Sequence, residues 1–268
     1  MDFQAVDEWQ RAIAFMRAID QRCAEEVVPF RWGRALINRT LSSAPDLNYL
    51  LADSELESAT ADELEAESER IQGPTGISYR RVNVDNQHAA DRLLPEFRRI
   101  AFRPERFAVM ARHRMPDRQV DPRGVSKVDW AGYEPGRRRE IESWAPTKLI
   151  AEQAIAKQLM TAAVVETSYW CAFVEASPAS FCEVRREGSA AQIEFVETLA
   201  PFRRRGLARQ LLTAVLESLR GCSFTFLVAD LFDWPQHFYE RLGFQRVGVE
   251  TRFIRQPVET ELPGGRAG

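Results

Sequence analysis

The stretch from Ala200 to Leu219 constrains this chain more than any other. It reads Ala200-Pro-Phe-Arg-Arg-Arg-Gly-Leu-Ala208. From there Leu207, Leu211, Leu212, Val215, Leu216 and Leu219 recur at helical spacing, so one stripe of the helix must face a core. Arg203, Arg204 and Arg205 stand at its start, where the positive end of the helix dipole disfavours cations, and no acidic residue offsets them. Arginines, unsatisfied backbone N–H groups and the dipole meet in one place, which is the makeup of an anion site. Gly206 and Ala208 carry little or no side chain, so phosphates can approach the main chain closely. Taken alone, an arginine-rich surface turn before a core helix is an equally good reading.

The remaining composition narrows the classes. A chain of 268 residues suffices for one large domain or two of common size. The net charge of -3 offers no electrostatic case for nucleic acid or a membrane surface as partner. Lys127, Lys148 and Lys157 are the only lysines, so arginine makes up nearly all the basic residues and a lone arginine carries little functional weight. Cys23, Cys171, Cys182 and Cys222 show no paired or metal-ligand spacing, and His88, His113 and His237 are isolated, so no metal is expected. No apolar run approaches the roughly 20 residues of a membrane span and no signal region opens the chain. A cytoplasmic location follows as the expectation.

Read in order, the chain predicts an α/β fold with a mixed sheet. Residues 6–28 read as a helix, 49–52 as a buried strand and 58–71 as an acidic helix capped by Thr60 with Glu63. Residues 77–84 alternate as a strand, 89–100 form a helix that Pro95 kinks or restarts, and 107–111 are a further strand. The polar stretch 116–124, with two prolines and a glycine, reads as a linker between a lobe at 1–115 and a lobe at 125–256.

In the second lobe, 125–130 is a strand, Arg137-Arg-Arg139 lies on the solvated face of a helix ending near Trp144, and Thr147 starts the next helix. Strands around 168–174 and 179–185 lead through a turn at Gly188 into a third at 191–199, which runs straight into the arginine turn. After the strand at 224–229, Asp233 reads as a helix N-cap with Gln236 completing a capping box, and Gly243 as a left-handed C-cap. Residues 257–268 are expected to be a disordered tail.

Two segments in this order resemble the GNAT superfamily of acyl-CoA-dependent N-acetyltransferases. Arg203-Arg-Arg-Gly206-Leu-Ala208 is similar to that family's pyrophosphate loop between strand and helix. Phe238-Tyr-Glu-Arg-Leu-Gly-Phe244 is similar to the short helix and strand start that close its fold. The resemblance covers roughly 125–255 and implies a GNAT-like C-terminal half. The element order of 1–115 is compatible with a second, degenerate GNAT-like lobe, and an unrelated substrate-shaping or dimerising domain competes with it. No segment of 1–115 carries the loop pattern, so no cofactor is expected there.

The resemblance implies acetyl-CoA as co-substrate, with phosphate contacts from Arg203, Arg204, Arg205, Gly206, Leu207 and Ala208. It implies main-chain contacts to the pantetheine arm from Val196, Glu197 and Thr198, and a further contact from Asp233, where many members of the family have asparagine and where a helix cap is the competing reading. Tyr239 matches the family's acid, against the alternative of a packed aromatic. Strand alternation puts Gln192 and Glu194 on one face and Glu197 on the other. Glu194 is the candidate base, acting through water, and a solvated strand carboxylate is the competing reading. The implied reaction is acetyl transfer to a primary amine of a small molecule or peptide, by a monomer or homodimer. A non-catalytic acyl-CoA-binding regulatory module is the alternative.

Overall fold

The computed structural model describes residues 3–232 and 235–256. In chain order the elements begin with α1 (Phe3–Cys23), β1 (Glu26–Phe30), β2 (Gly33–Ile37), β3 (Tyr49–Ala52), α2 (Ala61–Gln72), β4 (Arg80–Val84) and α3 (Gln87–Arg99). They continue with β5 (Arg103–Arg112), β6 (Val125–Val128), α4 (Trp130–Trp144), α5 (Lys148–Val164), β7 (Glu166–Val174), β8 (Ser177–Glu187) and β9 (Ala190–Thr198). The last are α6 (Leu207–Ser218), β10 (Phe224–Asp230), α7 (Pro235–Arg241) and β11 (Phe244–Arg255). The predicted cap Asp233 and the predicted tail 257–268 lie outside the described residues.

The chain divides into two compact units that do not follow the expected split at the linker. Among the described residues, one is 3–25 with Arg106–Glu250, and the other is Glu26–Glu105 with 251–256. The reason is long-range pairing. Strand β5 pairs antiparallel with β10, Ala111 opposite Phe226 and Phe107 opposite Asp230. Helix α1 packs in the same unit, with Phe15 edge-on to Phe226 at 5.4 Å and buried Arg17 donating to Glu250 Oε1 at 2.7 Å.

In the smaller unit β1, β2 and β3 are antiparallel neighbours, and β3 pairs parallel with β4 across helix α2. Residues Thr251–Arg255 pair antiparallel with β4. Leu50, Leu64, Val82, Leu93, Phe97 and Phe253 form the core, with the Phe97 and Phe253 rings stacked at 4.0 Å. Helix α2 starts as the sequence predicts: the Thr60 hydroxyl accepts from Glu63 N, and Glu63 caps Thr60 in return. Its acidic residues meet arginines of the same unit, Glu69 reaching both Arg80 and Arg255 at 2.7 Å. Helix α3 runs uninterrupted with Pro95 inside it, so the predicted restart does not occur.

In the larger unit the strand order is β11-β5-β10-β9-β8-β7-β6. The pairs β6–β7, β7–β8 and β8–β9 are antiparallel, and β9 pairs parallel with β10 across α6. The apolar stripe of α6 buries Leu211, Leu212, Val215 and Leu216 against Ile193, Val184, Leu227 and Phe244. The thiols of Cys171 and Cys182 are buried, and burial pushes the Cys171 thiol up to about 12, as fits an inert core cysteine. No described helix is long and apolar enough to cross a membrane.

The C-cap expected at Gly243 is present, with φ +97°, and it closes tightly on a distant backbone. A Cβ at this position would lie 2.0 Å from Arg114 O. The Gly243 carbonyl also accepts from His113 N at 2.9 Å. Gly243→Ala should therefore destabilise the protein by roughly 2–4 kcal/mol, from the left-handed backbone cost and the clash together. Chemical denaturation measures this, and a loss under about 0.5 kcal/mol would show that the segment 113–117 is not held there.

Candidate active site

Strand β9 changes character half-way along, and the site begins there. It pairs with β10 only from Ala190 to Ile193, opposite Phe224 to Leu227, and the remaining residues of the two strands diverge. On the other edge the register with β8 slips: Glu183 faces Glu194 and Phe181 faces Glu197, so Phe195 and Val196 together stand opposite Cys182. Phe195 takes a left-handed φ of +52°, the mark of a β-bulge. A parallel neighbour lost on one side and a bulge on the other leave residues 194–198 with an open edge facing the gap between β9 and β10.

The bulge also corrects the expected alternation. Glu194 and Glu197 both lie on the face of Phe181 and Glu183, because the extra residue restores Glu197 to the side it would otherwise leave. Glu194 accepts from Gln192 Nε2 at 2.5 Å and stands on the same face as Arg185, which donates to buried Glu183 at 2.8 Å. Behind this face, Gln158 donates to Glu183 at 3.1 Å and to the Tyr133 hydroxyl at 3.3 Å.

The chain leaves β9 through Leu199 and a short 3-10 turn, Ala200–Phe202. Arg204 at φ +64° and Gly206 at φ +81° then alternate left-handed positions, a conformation that gathers successive N–H groups toward one point. Gly206 is the N-cap of α6 and supplies no side chain, and no acceptor among the described residues takes the N–H groups of Arg204 to Ala208. The start of this long helix thus offers unsatisfied donors and the positive dipole end at a glycine whose Cβ position is open space.

These parts line one cleft of about 780 Å³, within the range of roughly 300–1,000 Å³ usual for small-molecule sites. Of the residues picked out from the sequence, Val196, Glu197, Thr198, Arg203, Arg204, Gly206, Leu207, Ala208 and Tyr239 line it. Arg205 does not; its guanidinium lies over the Phe202 ring, 5.5 Å from the centroid. Glu194 does not line it either, and Asp233 is outside the described residues. Gln236 donates its amide to Asp230 O at 3.0 Å, tying α7 to the end of β10.

Tyr239 stands on α7 and is largely buried between Phe238 and Phe244, with centroids at 5.5 and 6.2 Å. Burial raises its phenol well above the usual value, and the nearby Cys182, Glu194 and Glu197 add to the shift. The hydroxyl is therefore held in its protonated form. Arg203 is steered along the end of β9, donating to Thr198 O at 2.9 Å and to Glu197 Oε1 at 3.1 Å.

The cleft has lining that the sequence reading missed: Asp117, Arg118, Phe202, Arg209, Phe238 and Arg241. Arg209 lies one turn past Gly206, and Phe238 and Arg241 flank Tyr239, so local spacing could have found these three. Asp117 and Arg118 belong to the stretch read as a linker. The Asp117 carboxylate accepts from buried Arg209 at 2.6 Å, and its N–H donates to Arg241 O at 2.8 Å. Desolvation pushes this carboxyl up, but the hydrogen bond and charge of Arg209 outweigh it and hold it below the usual range.

Residues 134–255 match the family model described as an acetyltransferase (GNAT) domain. No curated protein matches the chain. Among solved structures, a functionally unknown conserved protein of Staphylococcus epidermidis superposes with a TM-score of 0.66 at 12% identity, covering 87% of this chain and 94% of that one. A GCN5-related N-acetyltransferase of Kribbella flavida superposes with a TM-score of 0.57 at 14% identity, covering 95% of each chain. At these identities the likeness speaks for the fold.

Proposed function

We propose, starting from the match of residues 134–255 to the acetyltransferase (GNAT) domain model, that the protein moves an acetyl group from acetyl-CoA to a primary amine. One observation carries the reading: the arginine-led turn, the open edge of β9 and the Tyr239 phenol line the same cleft. The N–H groups of Arg204 to Ala208 and the α6 dipole receive the pyrophosphate. The open edge at Val196 to Thr198 offers main-chain groups to the amides of the pantetheine arm, in the manner of an added strand. The thioester then comes to lie at the bulge, toward Tyr239.

In the reaction the amine lone pair attacks the thioester carbonyl carbon, the new C–N bond forms and the C–S bond breaks. Tyr239 donates its proton to the leaving thiolate, and the amine gives up one to a base. Glu194 stands close enough to act on the phenol's charge and is the base candidate, acting through water because it does not itself line the cleft.

We propose further that the smaller unit is a GNAT-like copy without a donor site. Its β1-β2-β3-α2-β4-α3 order repeats β7-β8-β9-α6-β10-α7, including the parallel crossover. The loop corresponding to the arginine turn carries Asp53, Glu55 and Glu57. At the start of α2, Thr60 N donates to Glu63 at 3.0 Å and Ala61 N to Glu96 at 2.9 Å. Carboxylates of the chain itself stand where a phosphate would bind.

The test is release of free thiol when the protein is mixed with acetyl-CoA and a panel of amines, from small polyamines and aminoglycosides to peptide N-termini. Turnover with at least one amine, absent with acetyl-CoA alone, is the expected result. Failure to bind acetyl-CoA would remove the proposal.

A further inference from the structure

The cleft carries more positive charge than a pyrophosphate needs. Five arginines line it: Arg118, Arg203, Arg204, Arg209 and Arg241. Two are engaged by carboxylates, Arg203 by Glu197 at 3.1 Å and Arg209 by Asp117 at 2.6 Å. Arg118, Arg204 and Arg241 have no ion-pair partner among the described residues. Arg204 belongs to the turn whose N–H groups face the cleft, so the turn accounts for it. Arg118 and Arg241 come from two other parts of the chain, and the backbone bond from Asp117 N to Arg241 O at 2.8 Å holds those parts together. Both guanidinium groups line the one cleft, with the Asp117 charge acting on Arg118, and a doubly charged phosphate there offers both of them charge-assisted hydrogen bonds.

We infer that Arg118 and Arg241 hold the 3′-phosphate of the CoA donor, so that the stretch between β5 and β6 is part of the donor site. The inference rests on the acetyl-CoA reading given above. The phosphomonoester of CoA carries close to two negative charges at neutral pH. It is chemically separate from the pyrophosphate, which the N–H groups at 204–208 and the helix dipole already serve. Asp117 is a positioning residue in this arrangement. Its carboxylate is anchored on α6 through Arg209 and its N–H on α7 through Arg241 O, which fixes the backbone from which Arg118 projects.

The experiment compares binding of CoA and 3′-dephospho-CoA by calorimetry for the full chain, Arg118→Ala and Arg241→Ala. Both side chains are exposed, so neither variant threatens the fold. The unaltered protein should bind CoA about ten-fold or more tightly than dephospho-CoA. Each variant should lose roughly five- to ten-fold in affinity for CoA and almost none for dephospho-CoA. An equal loss for both ligands would assign the two arginines to the pyrophosphate and overturn the inference. Equal affinity of the unaltered protein for both ligands would overturn it too, while leaving the acetyl-CoA reading intact. Binding of neither ligand would remove both.

Discussion

Gly206→Asp should cost at least about 100-fold in acetyl-CoA affinity while leaving the fold nearly as stable as before. Two effects add. The new carboxylate sits at the N-cap of α6, where it takes up the N–H groups meant for the pyrophosphate and repels its charge. The φ of +81° is costly for any residue with a Cβ, though aspartate tolerates that region better than most, at about 1 kcal/mol. A Cβ here meets nothing within 4 Å, so no clash spreads into the core. Gly206→Ala separates the two effects, because it keeps the backbone cost and adds no charge; it should lose less than about ten-fold. Calorimetric titration with acetyl-CoA, alongside thermal melting, reads both. An aspartate variant that binds as tightly as the parent would refute the phosphate role of the turn.

Tyr239→Phe should lower kcat by roughly 100- to 1,000-fold and leave KM for acetyl-CoA within about a factor of three. The ring is buried against Phe238 and Phe244, and phenylalanine fills the same volume, so the packing survives. What is lost is the proton for the leaving thiolate. The pH dependence gives an independent check. Burial and the nearby Cys182, Glu194 and Glu197 raise the phenol above its ordinary value near 10. A raised value means the proton stays on as pH climbs, so the wild-type rate should show no loss from phenol ionisation up to about pH 10. An unchanged kcat in the phenylalanine variant would reduce Tyr239 to a packed aromatic.

The parts of the site that local sequence could specify were legible, and they share a physical basis. The arginine turn, Gly206 and the apolar stripe of α6 are features of one continuous segment, where residue type, spacing and helix electrostatics act together. The capping box of Thr60 and Glu63 and the left-handed Gly243 belong to the same kind, since each needs only its own few neighbours. Tyr239 was legible because it stands in a short segment bounded by such signals. These local features determined that a strand, an arginine-led turn, a helix and a closing helix follow one another.

Tertiary structure alone decided the rest. Phe195 adopts φ +52° without glycine, so the bulge that turns Glu197 onto the face of Glu194 leaves no mark in the alternation of the strand. The stretch 116–124 is polar and proline-containing, which reads as a linker, yet Asp117 is bound by Arg209, 92 positions away. Helix α1 and strand β5 join the larger unit because Phe15, Arg17 and Ala111 find partners at Phe226 and Glu250, far along the chain. Local pattern specifies how a segment folds; which distant segment it meets is chosen by the summed burial and pairing of the whole chain. The arginine turn could therefore be found by reading, whereas the wall that faces it, with Arg118 and Arg241, required the fold.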